Sequence, residues 1–154
     1  MTRIFNLNEL RNRYKDHIIS TTFSSWDLLN PDDIMLLKYA KSNSDILCVG
    51  LQKNTVLYNP ENYNPIQTLD DRETMIESCK YIDYYFIYDT EQTLYNSIKD
   101  LEPDICVLGQ NYTNINMSIL NQPIKFIYHP YYNNSESITK LRKEIYIREI
   151  KKQR

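Results

Sequence analysis

The segment Trp26–Ala40, WDLLNPDDIMLLKYA, sets an amide, a proline and two carboxylates in consecutive positions, Asn30 to Asp33, at the start of a helix-like run. A helix N-terminus leaves backbone N–H groups unpaired at the positive end of the macrodipole, which makes it a natural phosphate cradle. Asp32 and Asp33 oppose that use. A carboxylate about 5 Å from a phosphate charge costs roughly 3 kcal/mol at an effective dielectric near 20. The residue types permit three readings. In one, Asn30 is the N-cap, Pro31 occupies the first helical position, and both acids complement the dipole, so the helix start needs no ligand. In another, Asp32 and Asp33 hold Mg²⁺ against a triphosphate, although neighbouring helical positions project about 100° apart. In the third, the site takes a ligand that is not an anion.

Other residues carry similar alternatives. Arg72 falls in the first turn of a helix-like run, where a cation is mildly unfavourable; it serves either a phosphate-type ligand or a salt bridge to Asp70 or Asp33. Trp26 stacks on a nucleotide base or belongs to the core. Ser137 is an N-cap or a ligand contact. His17 and His129 begin and end strands, with no nucleophile and acid beside them in a recognisable triad, and read as packing residues. Cys48, Cys79 and Cys106 lack metal-ligand spacing and read as buried thiols of a reducing compartment.

The elements that must position these residues alternate along the chain. NLNELRNRYK is a short helix opening on Asn6 and Glu9 at capping-box spacing. HIISTTF is a strand, PDDIMLLKYAKS a helix with Ile34, Leu37 and Ala40 on one face, and DILCVGL a strand buried on both faces. After a polar loop, DDRETMIESCKYI reads as a helix opening on Asp70 and Glu73, with Met75, Ile76 and Cys79 inward. DYYFIYD is a strand with Tyr84, Phe86 and Tyr88 on one face; the other face covers a helix or a second copy. TEQTLYNSIKDL is a helix ended by Pro103, then come the strands DICVLG and IKFIYH. SITKLRKEIYIREIKK closes as an amphipathic helix with Ile138, Leu141, Ile145 and Ile150 inward. Such alternation predicts an α/β fold with a mostly parallel sheet. Ligands of such sheets bind beyond the carboxyl ends of the strands, which directs attention to the loops SSWDLLNPDD, QKNTVLYNPENYNP, GQNYT and HPYYNNSESIT.

Composition narrows the function classes. The chain has 154 residues and a formal net charge of −2, with 42% hydrophobic residues. One domain spanning 1–154 is expected, including a leader helix over 1–16 and a C-terminal helix over 137–152. The charge balance gives no nucleic-acid footprint. MTRIFNLNEL is no signal peptide, and no apolar run approaches the roughly 18 residues of a membrane span. A soluble cytoplasmic protein is expected.

At these loops the chain resembles the cytidylyltransferase-like nucleotidyltransferases, nearest to adenylyltransferase domains of ADP-heptose synthases and to glycerol-3-phosphate cytidylyltransferases. WDLLNPDDIMLLKYAKSNSDILCVGL resembles the family's signature strand–loop–helix–strand, in which the family reads Phe-Asp-Leu-Leu-His-x-Gly-His. DDRETMIESCKYIDYYFI resembles the segment whose Arg meets substrate phosphate, here Arg72. CVLGQNY resembles the turn after the fourth strand, here Gly109 with Asn111, and SESITKLRKEI the closing Ile-Ser-Thr-Thr motif, with Ser137 and Thr139 in register. The resemblance implies a Rossmann-like fold with a five-stranded parallel sheet in the order 3-2-1-4-5 and helices on both faces. It implies nucleotide contacts at Ser24, Ser25, Trp26, Asn30, Ser137 and Thr139, an acceptor-phosphate contact at Arg72, and catalytic positions at Asn30 and Asp33.

The motif departs where the chemistry lies. The two histidines are Asn30 and Asp33, and the glycine between them is Asp32. Ser24, Gln110 with Asn111, and Tyr132 stand where relatives carry Gly, acids and Arg. An ionised Asp cannot donate to phosphate, and one lost transition-state donor costs roughly 10²–10³ in rate. The expectation is a relative of sugar-phosphate or polyol-phosphate adenylyl- or cytidylyltransferases that is inactive or impaired and binds a nucleotide, sugar phosphate or partner. The alternatives are an active enzyme transferring AMP or CMP with Mg²⁺ and release of pyrophosphate, and a structural homodimer subunit.

Overall fold

The computed structural model describes residues 2–53, 65–109, 121–129 and 138–153, with the side chains of 138 and 139 excepted. Six strands, all paired in parallel, form one sheet. They are β1 (Thr2–Arg3), β2 (Ile19–Ser24), β3 (Ile46–Gln52), β4 (Tyr84–Tyr88), β5 (Ile105–Gly109) and β6 (Lys125–His129), in the order β1-β4-β3-β2-β5-β6. Five of these are the expected strands in the expected order. The sixth, β1, is an addition at the edge: Thr2 and Arg3 register with Tyr84 and Tyr85. The first sixteen residues therefore hold a two-residue strand and a shorter helix, α1 (Leu7–Arg13), where a leader helix was expected.

Helices α2 (Pro31–Ser42), α3 (Leu69–Glu77), α4 (Glu91–Leu101) and α5 (Ile138–Lys152) complete the order. α1 and α4 cover one face, where Leu10, Leu94, Ile98 and Leu101 pack on Ile19, Phe23, Phe86 and Tyr88. α2 and α3 cover the other, where Leu37, Ala40 and Ile76 pack on Leu47, Val49, Leu51 and Tyr85. Each such aliphatic side chain contributes roughly 1.5–3 kcal/mol when fully buried. Strand β4 is covered on both faces. Tyr84, Phe86 and Tyr88 belong to the α1/α4 side, with Tyr84 only half-buried. Tyr85 meets the neighbouring helix, donating to Glu77 of α3 at 2.6 Å. All three cysteines are buried and unpaired.

Three details differ from the sequence reading. The box at the start of α3 is Thr68 with Asp71, in place of Asp70 with Glu73. Met75 points outward, because α3 turns Arg72 and Ile76 to the sheet. Ile145 of α5 is 53% exposed, with Tyr146 and Ile147 also exposed, so the inward stripe expected along that helix has no cover there. Leu141 and Ile150 are partly buried.

Candidate ligand site at the carboxyl edge

With all strands parallel, Ser24, Gln52, Tyr88, Gly109 and His129 end at one edge of the sheet. The loop from Ser25 to Asn30 leaves β2 there and feeds α2. Two of its residues, Trp26 and Leu28, take left-handed backbone with φ near +50°, which costs about 1–3 kcal/mol each and persists only where the surroundings over-determine it. The surroundings do so. Trp26 is 1% exposed and its indole N–H donates to the Gly50 carbonyl at 2.9 Å. The Leu28 N–H donates to Gln67 Oε1 at 2.8 Å. Trp26 thus takes the core alternative: its ring has no open face for a base.

Asp27 is the anchor of this loop, and the sequence reading gave it no role. Its carboxylate accepts from the Ile66 and Gln67 N–H groups at 2.8 and 2.9 Å, and Arg142 of α5 reaches it at 3.0 Å. The Asp27 side chain is 1% exposed. Removing one partner of a pair buried this deeply costs roughly 3–5 kcal/mol. One carboxylate therefore joins the β2–α2 loop, the approach to α3 and the C-terminal helix.

Arg72 follows neither of its expected courses. It is 2% exposed, and its guanidinium donates to the carbonyls of Ser25, Gln52 and Lys53 at 2.8, 2.6 and 2.9 Å. Burial pushes its pKa down, and the charges of Asp27 and Glu73 act against that shift. Arg72 ties the ends of β2 and β3 together through its two terminal nitrogens, while its Nε is buried with no hydrogen-bond partner; among the described residues it makes no salt bridge to Asp70 or Asp33, and its burial against backbone carbonyls speaks for a structural role over the expected acceptor-phosphate contact.

At the start of α2 the chain satisfies itself. Asn30 Oδ1 accepts from the Asp32 and Asp33 N–H groups at 3.0 and 3.4 Å, and Asp33 Oδ2 accepts from the Asn30 N–H at 3.1 Å. Pro31 brings no N–H, and the Ile34 N–H already bonds the Asn30 carbonyl. The amides that would cradle an anion are held by the Asn30 side chain; of the two acids, only Asp33 takes part in the cap. Burial raises the Asp33 pKa to about 6, against the Asn30 hydrogen bond and with a smaller push from Asp32. Asp32 Oδ2 is buried with no hydrogen-bond partner. Among the described residues no three His, Cys, Asp or Glu side chains are placed to share a metal ion.

Ser24 at the end of β2 and Ser25 at the start of the loop are half-buried, and Gly109 is buried at the end of β5 in register with His129. Gln110, Asn111, Tyr132 and Ser137 lie outside the described residues, and Thr139 is described only as a backbone position of α5. Ser24, Ser25, Asn30, Asp32 and Asp33 share the end of β2, the loop that leaves it and the start of α2, and Gly109 ends the neighbouring strand β5. The structure adds His129, whose ring lies 4.9 Å from that of Tyr39 on α2.

A family model described as cytidylyltransferase-like matches residues 26–149. The bifunctional protein HldE of Campylobacter fetus subsp. fetus is 36% identical over 93 residues, covering 60% of this chain and 20% of that protein. HldE of Helicobacter pylori strain P12 is 33% identical over 113 residues, covering 73% of this chain and 24% of that protein. The chain thus spans about a fifth to a quarter of the length of these curated relatives. A lipopolysaccharide core biosynthesis protein from Thermoplasma volcanium superposes with a TM-score of 0.66 at 21% identity, covering 76% of this chain and 99% of that one. Pantoate–β-alanine ligase of Francisella tularensis superposes with a TM-score of 0.63 at 19% identity, covering 87% of this chain and 68% of that one. At these identities the two structures show a shared fold.

Proposed function

For a chain that belongs to the cytidylyltransferase-like family, we propose a nucleotidyltransferase homologue that binds a nucleotide or sugar-phosphate ligand, or a partner, and is inactive or severely impaired in nucleotidyl transfer. The closed cap of α2 carries this reading. Transfer requires donors aimed at the charge that develops on the phosphate under attack. Here the first-turn amides are spent on Asn30 Oδ1, and the family's second His position holds a carboxylate that is itself spent on the Asn30 N–H. Asp32 and Asp33 do not fit a shared Mg²⁺ ion, since Asp33 is turned back onto the cap and no third ligand is placed with them among the described residues. The relatives named above as bifunctional HldE motivate a sugar phosphate as the first acceptor class to try. Pyrophosphate release should be assayed over a panel of nucleotides, sugar phosphates and Mg²⁺. The expected result is no release above the uncatalysed background. Turnover on the order of 1 s⁻¹, ordinary for an enzyme, would overturn the proposal.

One observation favours an active enzyme as a second reading. Asn30 caps α2 through Oδ1, so its Nδ2 is the group of this side chain that can still donate to phosphate. In that case Asn30→Ala abolishes turnover while the fold persists.

A further inference from the structure

Two exposed helix faces of opposite charge meet at one buried joint. α3 carries four acids, and its one base, Arg72, is turned inward. Asp70, Asp71, Thr74, Met75 and Glu77 are exposed on its outer side. α5 carries six lysines and arginines against two glutamates, in a chain whose net charge is −2. Arg148 and Lys152 answer Glu144 and Glu149 within the helix. Lys143, Ile147 and Lys151 recur every four residues along one side, all exposed, and among the described residues Lys143 and Lys151 have no ion pair. The joint is Asp27. Its Oδ2 accepts from the Ile66 N–H, just before α3, at 2.8 Å and from Arg142 of α5 at 3.0 Å. Two bonds on one oxygen hold the approach to α3 against α5. Apolar side chains stand open at the same place. Ile66 is 61% exposed. Ile145 and Tyr146 follow Arg142 by three and four positions, on its side of the helix, and are 53% and 67% exposed.

Single exposed apolar side chains are ordinary, but a patch rimmed by polar groups marks an interaction site. We propose that this patch binds a second copy of the chain, with α5 of each protomer lying on α3 of its partner. A two-fold interface is self-complementary. With the axis along the boundary between α3 and α5, Ile66, Ile145 and Tyr146 meet their counterparts, and each basic helix faces the partner's acidic one. The charge pattern selects this occupant: a second copy brings both signs side by side in the order the surface requires. The apolar groups supply the affinity, and Tyr146 is of the residue type on which interfaces concentrate it. The charges supply orientation. Exposed ion pairs contribute little one by one, but unlike helices attract and like helices repel. Neither helix includes the α2 start, so dimerisation and ligand binding are separable.

Sedimentation velocity of the full chain over a range of concentrations tests this, at about 50 mM and about 500 mM NaCl, where screening shortens from ~14 to ~4 Å. The parent should dimerise reversibly, and more weakly at the higher salt. Tyr146→Asp should weaken the dimer at least about tenfold. Two further variants remove one sign each: Lys143→Glu with Lys151→Glu on α5, and Asp70→Lys with Thr74→Lys on α3. Either variant loses both acid–base contacts when it pairs with itself, while a mixed pair keeps one complete contact. Each alone should therefore dimerise at least about tenfold more weakly than the two mixed. A parent that stays monomeric up to about 1 mM leaves the patch to a different partner and overturns the proposal. So does a dimer that Tyr146→Asp leaves intact, or a mixture that pairs no better than its components. If a variant does not fold by circular dichroism, hydrogen exchange of the parent at low and high concentration decides. Protection gained on dimerisation should fall on α3 and α5, and protection confined to other elements overturns the proposal.

Discussion

Asn30 does for α2 what a phosphate oxygen does for an open helix start: one acceptor gathers two first-turn amides. If this is a structural cap, Asn30→Ala lowers the unfolding free energy by about 1 kcal/mol and changes no pyrophosphate release; denaturant unfolding beside the release assay separates cap from catalyst. Asp33 makes a pH-dependent prediction. Its folded pKa of about 6 lies above the ordinary Asp value of 3.8, so between these values the folded state binds more protons than the unfolded one. The stability this group contributes is complete below about pH 4 and is lost as pH rises through about 6. Relative to Asp33→Asn, which keeps an acceptor for the Asn30 N–H, the parent should lose about 2–3 kcal/mol between pH 4 and pH 7, measured by urea unfolding across that range. A parallel pair of curves would show that Asp33 is not buried as described. The residue types at 30–33 announced this cap in the sequence. Asp27 and His129 were not legible, because their partners lie far away along the chain: Arg142 is 115 positions from Asp27, and Tyr39 reaches His129 across the β5–β6 edge of the sheet. No local spacing encodes either contact.

At the scale of elements, α5 is held to the edge of the sheet by Arg142 on Asp27, while its exposed Ile145, Tyr146 and Ile147 contribute nothing to that hold. Arg142→Met leaves Asp27 buried with two amide donors and without its paired cation, the nearest remaining positive charge being that of Arg72. We expect about 3–5 kcal/mol of lost stability and faster hydrogen exchange confined to α5 and the loop at Ile66–Gln67. Exchange that accelerates evenly through the sheet would mean that α5 is not anchored by this pair. Arg72 has the same structural character: Arg72→Met should destabilise by about 3 kcal/mol or more, since three carbonyls at the ends of β2 and β3 lose their donor. Periodicity named these helices but not their exact starts. Thr68–Asp71 and Asp70–Glu73 offer the same spacing, and only the path of the preceding loop selects the first. Ile145 fits an inward helical period, but burial needs a neighbour as well as a period.

For the whole molecule, alternating apolar runs and capped helices led to the parallel sheet and to its carboxyl edge, and the family resemblance supplied the order of five of its strands. The pairing of Thr2 and Arg3 with β4 was not readable, because a two-residue edge strand has no periodicity to detect. The resemblance to the family implies chemistry at a helix start that accepts phosphate; in this chain the amides of that start are held by Asn30. The most direct measurement is calorimetric titration of the parent and of the double variant Asp32→Gly, Asp33→His with ATP and with CTP, each with and without Mg²⁺. The variant removes two negative charges, frees the Asn30 N–H from Asp33 and returns an imidazole donor, while Asn30 still holds its two first-turn amides; it should bind at least about tenfold more tightly than the parent, about 1.4 kcal/mol. A parent that binds tightly only with Mg²⁺, and a variant that does not bind at all, would contradict the closed-cap account.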